Sequence, residues 1–404
     1  MGVLLGCSLP LLFLTLFGTA NLFITAVNGK ECTVSKKSTL LISFGDSFFD
    51  VGNGKNEFCV PSEDPPYGKS LETQDATGRF SDGRVVLDYI AKYLGLADRE
   101  GKVVAYSCTS DIQEASSPGQ CEENGNWNFA IAGAGATRSA IRKSKSLSAQ
   151  VTEFLEYSTK VFGGNRAKLL ENGYRALYLF SIGTHDYLAQ FRTIENEQDV
   201  QRVADDVTTK IVEQVKKIAD YRGVRGKRIA FMSVALRYLP VLLQEYSNND
   251  TRLHLLDKLE TTHYEKLREK LEELAGGPEQ ATGQDPIFKY SILRYHSIIK
   301  AIMETPEIYG FDKKTVTSAC CGNGCYKAHG CGSLDKEGCN DPTAHVFWDG
   351  MHTTQHINQE IARLFWNGLT DKTYPHNLQT LVGTEERRYD FSVDKELLVT
   401  WTEK

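Results

Sequence analysis

Residues 43–53, Ser-Phe-Gly-Asp-Ser-Phe-Phe-Asp-Val-Gly-Asn, directly follow the apolar run 39–42, Thr-Leu-Leu-Ile. That run predicts a buried strand that ends at Gly45, so Asp46 and Ser47 lie where the chain must turn. A serine at the carboxyl end of a buried strand faces the crevice where open α/β sheets bind ligands. The stretch is therefore a good place for a nucleophile at Ser47. The alternative is that Asp46 and Ser47 only cap the next helix, because both residue types are preferred there.

A second polar motif, some three hundred residues later, favours the nucleophile. Residues 347–354 read Phe-Trp-Asp-Gly-Met-His-Thr-Thr. Asp349 and His352 are three positions apart, so a single loop can supply both an imidazole base and a carboxylate that orients it. A serine hydroxyl is a poor nucleophile unless such a base accepts its proton. The alternative for this pair is a helix cap beside a surface histidine.

Strand and helix patterns alternate along the chain. Apolar runs at 176–183, 228–234 and 287–293 predict further buried strands, and a run rich in small residues at 127–136 predicts a close backbone approach or tight strand–helix packing. Helical spacing of apolar residues follows at 85–94, 147–163, 200–221, 252–274, 298–303 and 356–366. This alternation predicts an α/β fold, a three-layer α/β/α sandwich around a central, mainly parallel five-stranded sheet.

The two ends of the chain differ from its body. Residues 1–28 carry no charged side chain and include an apolar block, which predicts a secretory signal peptide within 1–29; an uncleaved anchor is the alternative. No other run approaches the ~20 apolar residues of a membrane span. One domain is expected over 36–372, followed by a charged tail, 373–404, that either docks or is loose. The net charge of −6 gives no reason to expect nucleic acid as a partner.

The cysteines fit an oxidising compartment. Nine remain after the signal, at positions 32, 59, 108, 121, 320, 321, 325, 331 and 339, and an odd number leaves at least one thiol free or intermolecular. Disulfides that staple the 320–339 loop are favoured over zinc, because no Cys-x2-Cys pair with matching histidines is present. Cys108 and Cys121 could close another loop. The sequon at Asn249 predicts glycosylation of a secreted, extracellular protein.

Five motifs in a fixed order resemble the plant GDSL esterase/lipase family of the SGNH hydrolase superfamily. They are residues 44–53; 65–68 with 78–84; 128–134; 309–311 with 320–322; and 347–352. The resemblance covers about residues 38–370. It implies a flavodoxin-like sandwich and a serine hydrolase that acts on small-molecule or lipid esters.

The resemblance also implies roles for single residues. Ser47 resembles the nucleophile, His352 the general base and Asp349 the carboxylate behind it. The backbone amides of Ser47 and Gly133 resemble two oxyanion-hole donors. This chemistry needs neither a metal nor a cofactor.

One position departs from the family pattern. The third motif of the family reads Gly-x-Asn-Asp, with the asparagine as an oxyanion donor, whereas this chain has Gly183-Thr184-His185-Asp186. Neutral imidazole can donate one hydrogen bond, so His185 can replace the amide. Asp186 is expected to be structural.

The sequence therefore predicts a secreted serine esterase or lipase that works through an acyl-enzyme on Ser47. Two alternatives stay open at His185: an acyltransferase that passes the acyl group to an alcohol, and a catalytically weakened binding protein. A lectin-like or structural wall protein is disfavoured, because it leaves the late Asp-x-x-His motif unexplained.

Overall fold

The computed structural model describes residues 40–56, 61–96, 126–138, 144–161, 176–221, 227–276 and 287–383. Its sheet has six strands in the order β2-β1-β3-β4-β5-β6. They are β1 Leu40–Gly45, β2 Asn126–Asn128, β3 Ala176–Ser181, β4 Lys227–Met232, β5 Phe288–Leu293 and β6 Thr373–Pro375.

The sheet confirms the predicted α/β class. Strands β1 to β5 pair in parallel, as expected, and the short β6 adds to β5 in the antiparallel sense. Every residue of β1 and β3 is buried, so the sheet is covered on both faces, which is the usual environment of parallel strands. The sheet has one strand more than the five predicted. The patterns identify β1, β3, β4 and β5, but neither β2 nor β6, because three residues are too few to show a strand pattern.

Nine α-helices lie within the described ranges. They are α1 Val86–Tyr93, α2 Leu147–Val161, α3 Thr184–Gln190, α4 Glu197–Asp220, α5 Pro240–Tyr246, α6 Asp250–Ala275, α7 Tyr295–Glu304, α8 Gln355–Asn367 and α9 Leu378–Val382. One group packs α4 against α2 and α6, and another packs α8 against α1 and α9. The most extensive of these contacts is between the two long helices α4 and α6.

A row of aromatic rings crosses the middle of the sheet. Phe44, Phe180 and Phe231 occupy register positions on β1, β3 and β4, and neighbouring rings stack with centroids 4.9 Å apart. Phe154 of α2 meets Phe44 edge-on at 5.6 Å. Such pairs add about 0.5–1.5 kcal/mol each beyond the area they bury. The row therefore fixes β1 rigidly just before the Ser47 motif.

Strand order places a crevice at the end of β1. The chain passes from β1 to β2 on one side, then returns to β3 on the other side of β1. Such a reversal opens a crevice at the carboxyl ends of the two strands, where ligands bind in open α/β sheets. The residues that follow β1 and β3 are those of the Ser47 motif and the His185 motif.

Two disulfides staple the cysteine-rich loop, which the sequence predicts, and their pairing, which the sequence leaves open, is Cys320–Cys339 and Cys321–Cys331. Cys325 is free and exposed among the described cysteines. The predicted signal peptide, and the loop that Cys108 and Cys121 could close, lie outside the described residues.

The start of the predicted tail belongs to the sheet. The predicted domain ends at residue 372, and β6 and α9 follow immediately, with β6 paired to β5 and α9 against α8. Residues 384–404 lie outside the described part. Among the helices that the structure describes, none has the length and apolar character to cross a bilayer.

Candidate active site

A tight turn presents Ser47 at the end of β1. Gly45 has φ +150°, and a Cβ at this position would lie 2.1 Å from the Ser181 carbonyl oxygen, so only glycine fits. The Gln150 carboxamide accepts from the Gly45 N–H at 2.9 Å and donates to its carbonyl at 2.8 Å. Ser47 itself is buried. The backbone under the serine is thus held from β3 and from α2.

Asp46 shapes the turn and does not begin an α-helix. Its carboxylate accepts from the Phe48 N–H at 3.2 Å, and its carbonyl accepts from the N–H groups of Phe49 and Asp50. Burial, with smaller contributions from the nearby Asp186 and Asp50, raises the pKa of Asp46 to about 8, although the hydrogen bond from Phe48 acts in the opposite direction. No α-helix directly follows Asp46 and Ser47, so the interpretation that they cap one is wrong for this segment.

Ser47, His352 and Asp349 form a hydrogen-bonded chain, although the serine and the histidine are 305 positions apart. The Ser47 Oγ lies 2.7 Å from His352 Nε2, and His352 Nδ1 lies 2.9 Å from both carboxylate oxygens of Asp349. All three side chains are buried. The structure therefore brings together the three residues that the sequence predicts, in the order that proton transfer from serine to histidine requires.

The electrostatics of the pair define the histidine tautomer. Burial alone would raise the pKa of Asp349, but the nearby His352, the Met351 N–H and the Tyr67 hydroxyl together lower it. The carboxylate is consequently ionised and can only accept hydrogen bonds. Nδ1 of His352 must then carry the proton, which leaves Nε2 free to accept the proton of Ser47.

Backbone contacts fix the Asp349–His352 turn. Asp349 Oδ1 accepts from the N–H groups of Met351 and His352, each at 2.8 Å. In the segment before it, the carbonyls of Phe347 and Trp348 accept from the N–H groups of the adjacent half-cystines Cys320 and Cys321, at 2.9 and 2.7 Å. The disulfide loop therefore supports the segment that carries the acid and the base.

Tyr67 is a fourth member of this chain that sequence reasoning missed. Its hydroxyl donates to Asp349 Oδ2 at 2.8 Å, and its buried ring lies edge-on to Trp348 and Phe80. The 65–68 motif, Pro-Pro-Tyr-Gly, was noted only as part of the resemblance and given no role. The signal available was a hydroxyl-bearing aromatic within that motif, but nothing local showed a partner 282 positions away.

Two phenylalanines enclose the base. The rings of Phe48 and Phe80 lie 5.2 and 4.8 Å from the imidazole of His352, centroid to centroid. Phe80 belongs to the 78–84 motif, whose other residues are structural: Arg79 forms a buried double hydrogen bond with Asp88, and Asp82 accepts from the Gln355 N–H at 2.7 Å. This motif therefore ties the start of α1 to the residues that follow His352.

The loop of Gly133 is pinned on both sides. Asp50 Oδ2 accepts from the Ala132 N–H at 2.7 Å, and Asp186 accepts from the N–H groups of Ala136 and Thr137 at 2.7 and 2.8 Å. Gly133 has φ +76°, in the left-handed region. Asp186 thus has the structural role expected of it, and Asp50 is a second anchor that the sequence analysis did not identify.

The two backbone amides expected to form an oxyanion hole are available. Neither the Ser47 N–H nor the Gly133 N–H donates a hydrogen bond to another residue in the part of the chain that the structure describes. Ser47 follows β1, while the Gly133 loop continues from β2, which pairs with β1. Preorganised N–H groups of this kind stabilise a developing oxyanion when they point at its position.

His185 lies near His352. It is half-buried in the first turn of α3, directly after Thr184 and the left-handed Gly183. Burial, together with the nearby His352, lowers the pKa of His185 to about 4. The ring is therefore neutral near pH 7, with one N–H to donate and one nitrogen to accept. The substitution of the family's asparagine by His185 thus keeps an uncharged donor in this position.

Other predicted positions are more remote. Asn249 is exposed and caps α6, with its side-chain oxygen accepting from the Arg252 N–H at 3.1 Å, and its glycosylation stays a prediction. Within the described ranges, no three His, Cys, Asp or Glu side chains cluster in a way that could hold a metal ion.

An α/β sandwich with a Ser–His–Asp chain at the crevice beside its first strand is an arrangement typical of serine hydrolases. The chain belongs to the GDSL-like lipase/acylhydrolase family, whose model matches residues 41–365. Membership of this family indicates that the protein is a hydrolase that acts on esters.

Curated relatives come from plants. GDSL esterase/lipase 2 of Arabidopsis thaliana is 31% identical over 88% of this chain and 92% of its own length. GDSL lipase of Tanacetum cinerariifolium is 29% identical, over 87% and 89% respectively. Inactive GDSL esterase/lipase-like protein 25 of Arabidopsis thaliana is 31% identical, over 87% of this chain and 76% of its own.

Proposed function

We propose that the protein is a secreted serine esterase that hydrolyses carboxylic esters through an acyl-enzyme on Ser47. The observation that carries this proposal is the contact of 2.7 Å between Ser47 Oγ and His352 Nε2, with Asp349 behind the ring at 2.9 Å. The substrate is a small-molecule or lipid ester.

Acylation begins when Ser47 Oγ attacks the ester carbonyl while His352 Nε2 takes the hydroxyl proton. The imidazolium that forms is stabilised by the ionised Asp349. The carbonyl oxygen becomes an oxyanion that accepts hydrogen bonds from the N–H groups of Ser47 and Gly133 and from the imidazole of His185. When this tetrahedral intermediate collapses, the bond between the carbonyl carbon and the alcohol oxygen breaks. The alcohol oxygen takes the proton from His352, and the alcohol leaves.

Deacylation repeats these steps with water. Water attacks the acyl carbonyl while His352 Nε2 takes one of its protons, and the second oxyanion uses the same donors. When this second tetrahedral intermediate collapses, the bond between the acyl carbon and Ser47 Oγ breaks. Ser47 Oγ recovers its proton from His352, and the acid is released. No step requires a metal or an organic cofactor.

The test of the nucleophile is labelling with a fluorophosphonate, followed by mapping of the labelled peptide. We expect the label on Ser47, turnover of p-nitrophenyl acetate, and loss of both in Ser47→Ala. Cys325→Ser is a suitable matched control, since Cys325 is exposed and unpaired. Turnover that survives in Ser47→Ala would show that another residue is the nucleophile.

A catalytically weakened protein is the second candidate, because His185 stands where the family has asparagine and one relative carries the word inactive in its name. The neutral state of His185 favours the esterase. Removing one oxyanion donor typically costs ~10²–10³ in rate. We expect His185→Ala to lower kcat substantially and His185→Asn to keep or raise it. Equal rates in wild type and both variants would remove His185 from the mechanism.

Acyl transfer differs from hydrolysis only in the acceptor, so product analysis with added alcohols distinguishes the two. An enzyme that forms a new ester faster than it forms the free acid is an acyltransferase. Secretion and glycosylation are tested by expressing the full chain in plant cells. We expect the medium to contain a product that begins between residues 20 and 29 and that loses mass on deglycosylation unless Asn249 is replaced by Gln.

A further inference from the structure

An open groove of about 680 Å³ lies between α3 and α5, with His329 of the cysteine-rich loop contributing to its lining. This volume is in the range of about 300–1,000 Å³ that is usual for small-molecule sites. None of the residues that line the groove belongs to the five motifs of the family resemblance.

The groove lies near the Ser47–His352–Asp349 chain, although none of these three residues lines it. Leu188 and Ala189 line it, and they follow His185 by three and four positions, so they share its face of α3. Val241, on the opposite wall, donates its N–H at 3.1 Å to the carbonyl of Gly350, within the Asp349–His352 turn. One end of the groove therefore lies within about one helical turn of His185 and beside the Asp349–His352 turn.

Four lining residues are polar, Arg192, Gln244, Glu245 and His329, and the two that form an ion pair lie one helical turn beyond apolar residues of the walls. Both walls begin with apolar side chains, Leu188 on one and Val241 on the other. One helical turn further, Arg192 Nε lies 3.0 Å from Glu245 Oε1, and this ion pair joins the two walls. The opposite charges neutralise each other, so this end suits an uncharged hydrogen-bonding group better than a carboxylate or an ammonium.

Two aromatic residues that line the groove, Phe191 and Tyr246, support the end that carries the ion pair. Arg252 lies over the rings of Phe191 and Tyr246, at 4.0 and 5.0 Å from their centroids, and the Tyr246 hydroxyl donates to Glu245 Oε1 at 2.7 Å. A long unsubstituted alkyl chain would have to cover these charged groups without giving them hydrogen bonds, which is costly.

We propose that this groove binds one substituent of the ester, apolar next to the carbonyl and carrying a hydroxyl group at its far end. The proposal rests on the proposed esterase function and specifies its substrate class. The substituent is either the acyl chain or the alcohol part, since both extend from the same carbonyl carbon.

The experiment measures kcat/KM in two series of substrates. The acyl series is p-nitrophenyl acetate, hexanoate, ω-hydroxyhexanoate and palmitate. The alcohol series is hexyl acetate and ω-hydroxyhexyl acetate, followed by acid release. In one series, we expect the hydroxylated substrate to exceed its unsubstituted counterpart about two- to tenfold, which is the contribution of one hydrogen bond. No preference in either series would overturn the proposal.

Ala189→Trp fills the apolar part of the groove. For the six-carbon substrates of the preferred series, we expect this variant to lower kcat/KM at least about tenfold more than for p-nitrophenyl acetate, and to remove the hydroxyl preference. Asn248→Trp is the matched control, because Asn248 is exposed just beyond α5 and does not line the groove. An equal loss for all substrates, or the same loss in the control, would contradict the proposal.

A binding experiment distinguishes a failure of this proposal from a failure of the proposed esterase function. The Ser47→Ala variant is titrated with p-nitrophenyl ω-hydroxyhexanoate and with ω-hydroxyhexyl acetate, and binding is followed by ligand-observed NMR. Saturable binding of either that Ala189→Trp weakens at least about tenfold supports the groove even if the wild-type enzyme shows no turnover. Absence of saturable binding for both would refute the groove, whatever the outcome of the labelling experiment.

Discussion

Replacing Tyr67 by phenylalanine removes one hydrogen bond from the catalytic chain and leaves the packing almost unchanged. The hydroxyl donates to Asp349 Oδ2 at 2.8 Å, while the ring is held edge-on by Trp348 and Phe80. Phenylalanine keeps the ring and all of its ring contacts. The effect on catalysis is therefore that of the lost donor alone.

The expected size of the effect follows from the donors that Asp349 retains. A hydrogen bond to a charged group contributes about 1.5–3 kcal/mol. The carboxylate keeps the N–H groups of Met351 and His352 and the imidazole itself, so the lower end of that range applies. Since about 1.4 kcal/mol in the barrier is tenfold in rate, we expect Tyr67→Phe to lower kcat about tenfold with little change in KM.

The pH profile identifies how Tyr67 acts. Its hydrogen bond helps to lower the pKa of Asp349. Without that bond the pKa of Asp349 rises, so the carboxylate that holds His352 Nδ1 becomes protonated at a higher pH than in the wild type. This change moves the acid limb of the kcat profile to higher pH. A tyrosine that only supported packing would change stability and leave this limb in place.

The assay is the pH dependence of p-nitrophenyl acetate hydrolysis, with thermal melting of each variant. Tyr290→Phe is the matched control, because Tyr290 is also buried but lies on β5, outside the catalytic chain. We expect the control to keep kcat within about twofold. If Tyr67→Phe melts like the control and retains both the wild-type kcat and the wild-type acid limb, the reasoning about Asp349 is refuted.

Three further predictions concern the supports of the site. Gly45→Ala should destabilise the fold by roughly 2–4 kcal/mol and abolish activity, because its Cβ would lie 2.1 Å from a β3 carbonyl; a denaturant titration with a wild-type midpoint would contradict this. Asp46→Asn should raise the melting temperature, because the folded chain holds this carboxyl at a pKa of about 8 against a usual 3.8. Wild-type stability then falls as pH rises between these values, so the advantage of the variant should grow over this window, and a gap independent of pH would oppose the idea. Reduction of the two disulfides should lower kcat several-fold in wild type and in Cys325→Ser alike, because the half-cystines Cys320 and Cys321 hold the segment before Asp349; full activity after reduction confirmed by thiol titration would exclude this support.

Long elements of the fold could be predicted because their patterns repeat over several turns or strand residues. The helix expected at 252–274 is Asp250–Ala275, and the one expected at 200–221 is Glu197–Asp220. The strand β6 could not be predicted, since it is defined only by its pairing with β5. Its residues show no alternation of their own, and their conformation depends on a partner elsewhere in the chain.

The catalytic chain was predictable for a different reason. Ser47, Asp349 and His352 carry reactive groups in short motifs, so their chemistry is visible before their geometry. Tyr67 and Asp50 also lie in short motifs, but nothing in those motifs shows which groups they contact. Their roles come from contacts with groups far along the chain, Asp349 for one and the Ala132 N–H for the other.

The catalytic residues therefore rest on two separately anchored halves. The turn of Asp349 and His352 is held by Tyr67 and by the disulfide loop, whereas the Gly133 loop is held by the carboxylates of Asp50 and Asp186. Ser47 lies between them on β1. Residues that share no partner usually affect free energies independently. A change at Tyr67 should thus act on proton transfer and a change at Asp186 on the oxyanion hole, so the two losses should add in free energy when combined.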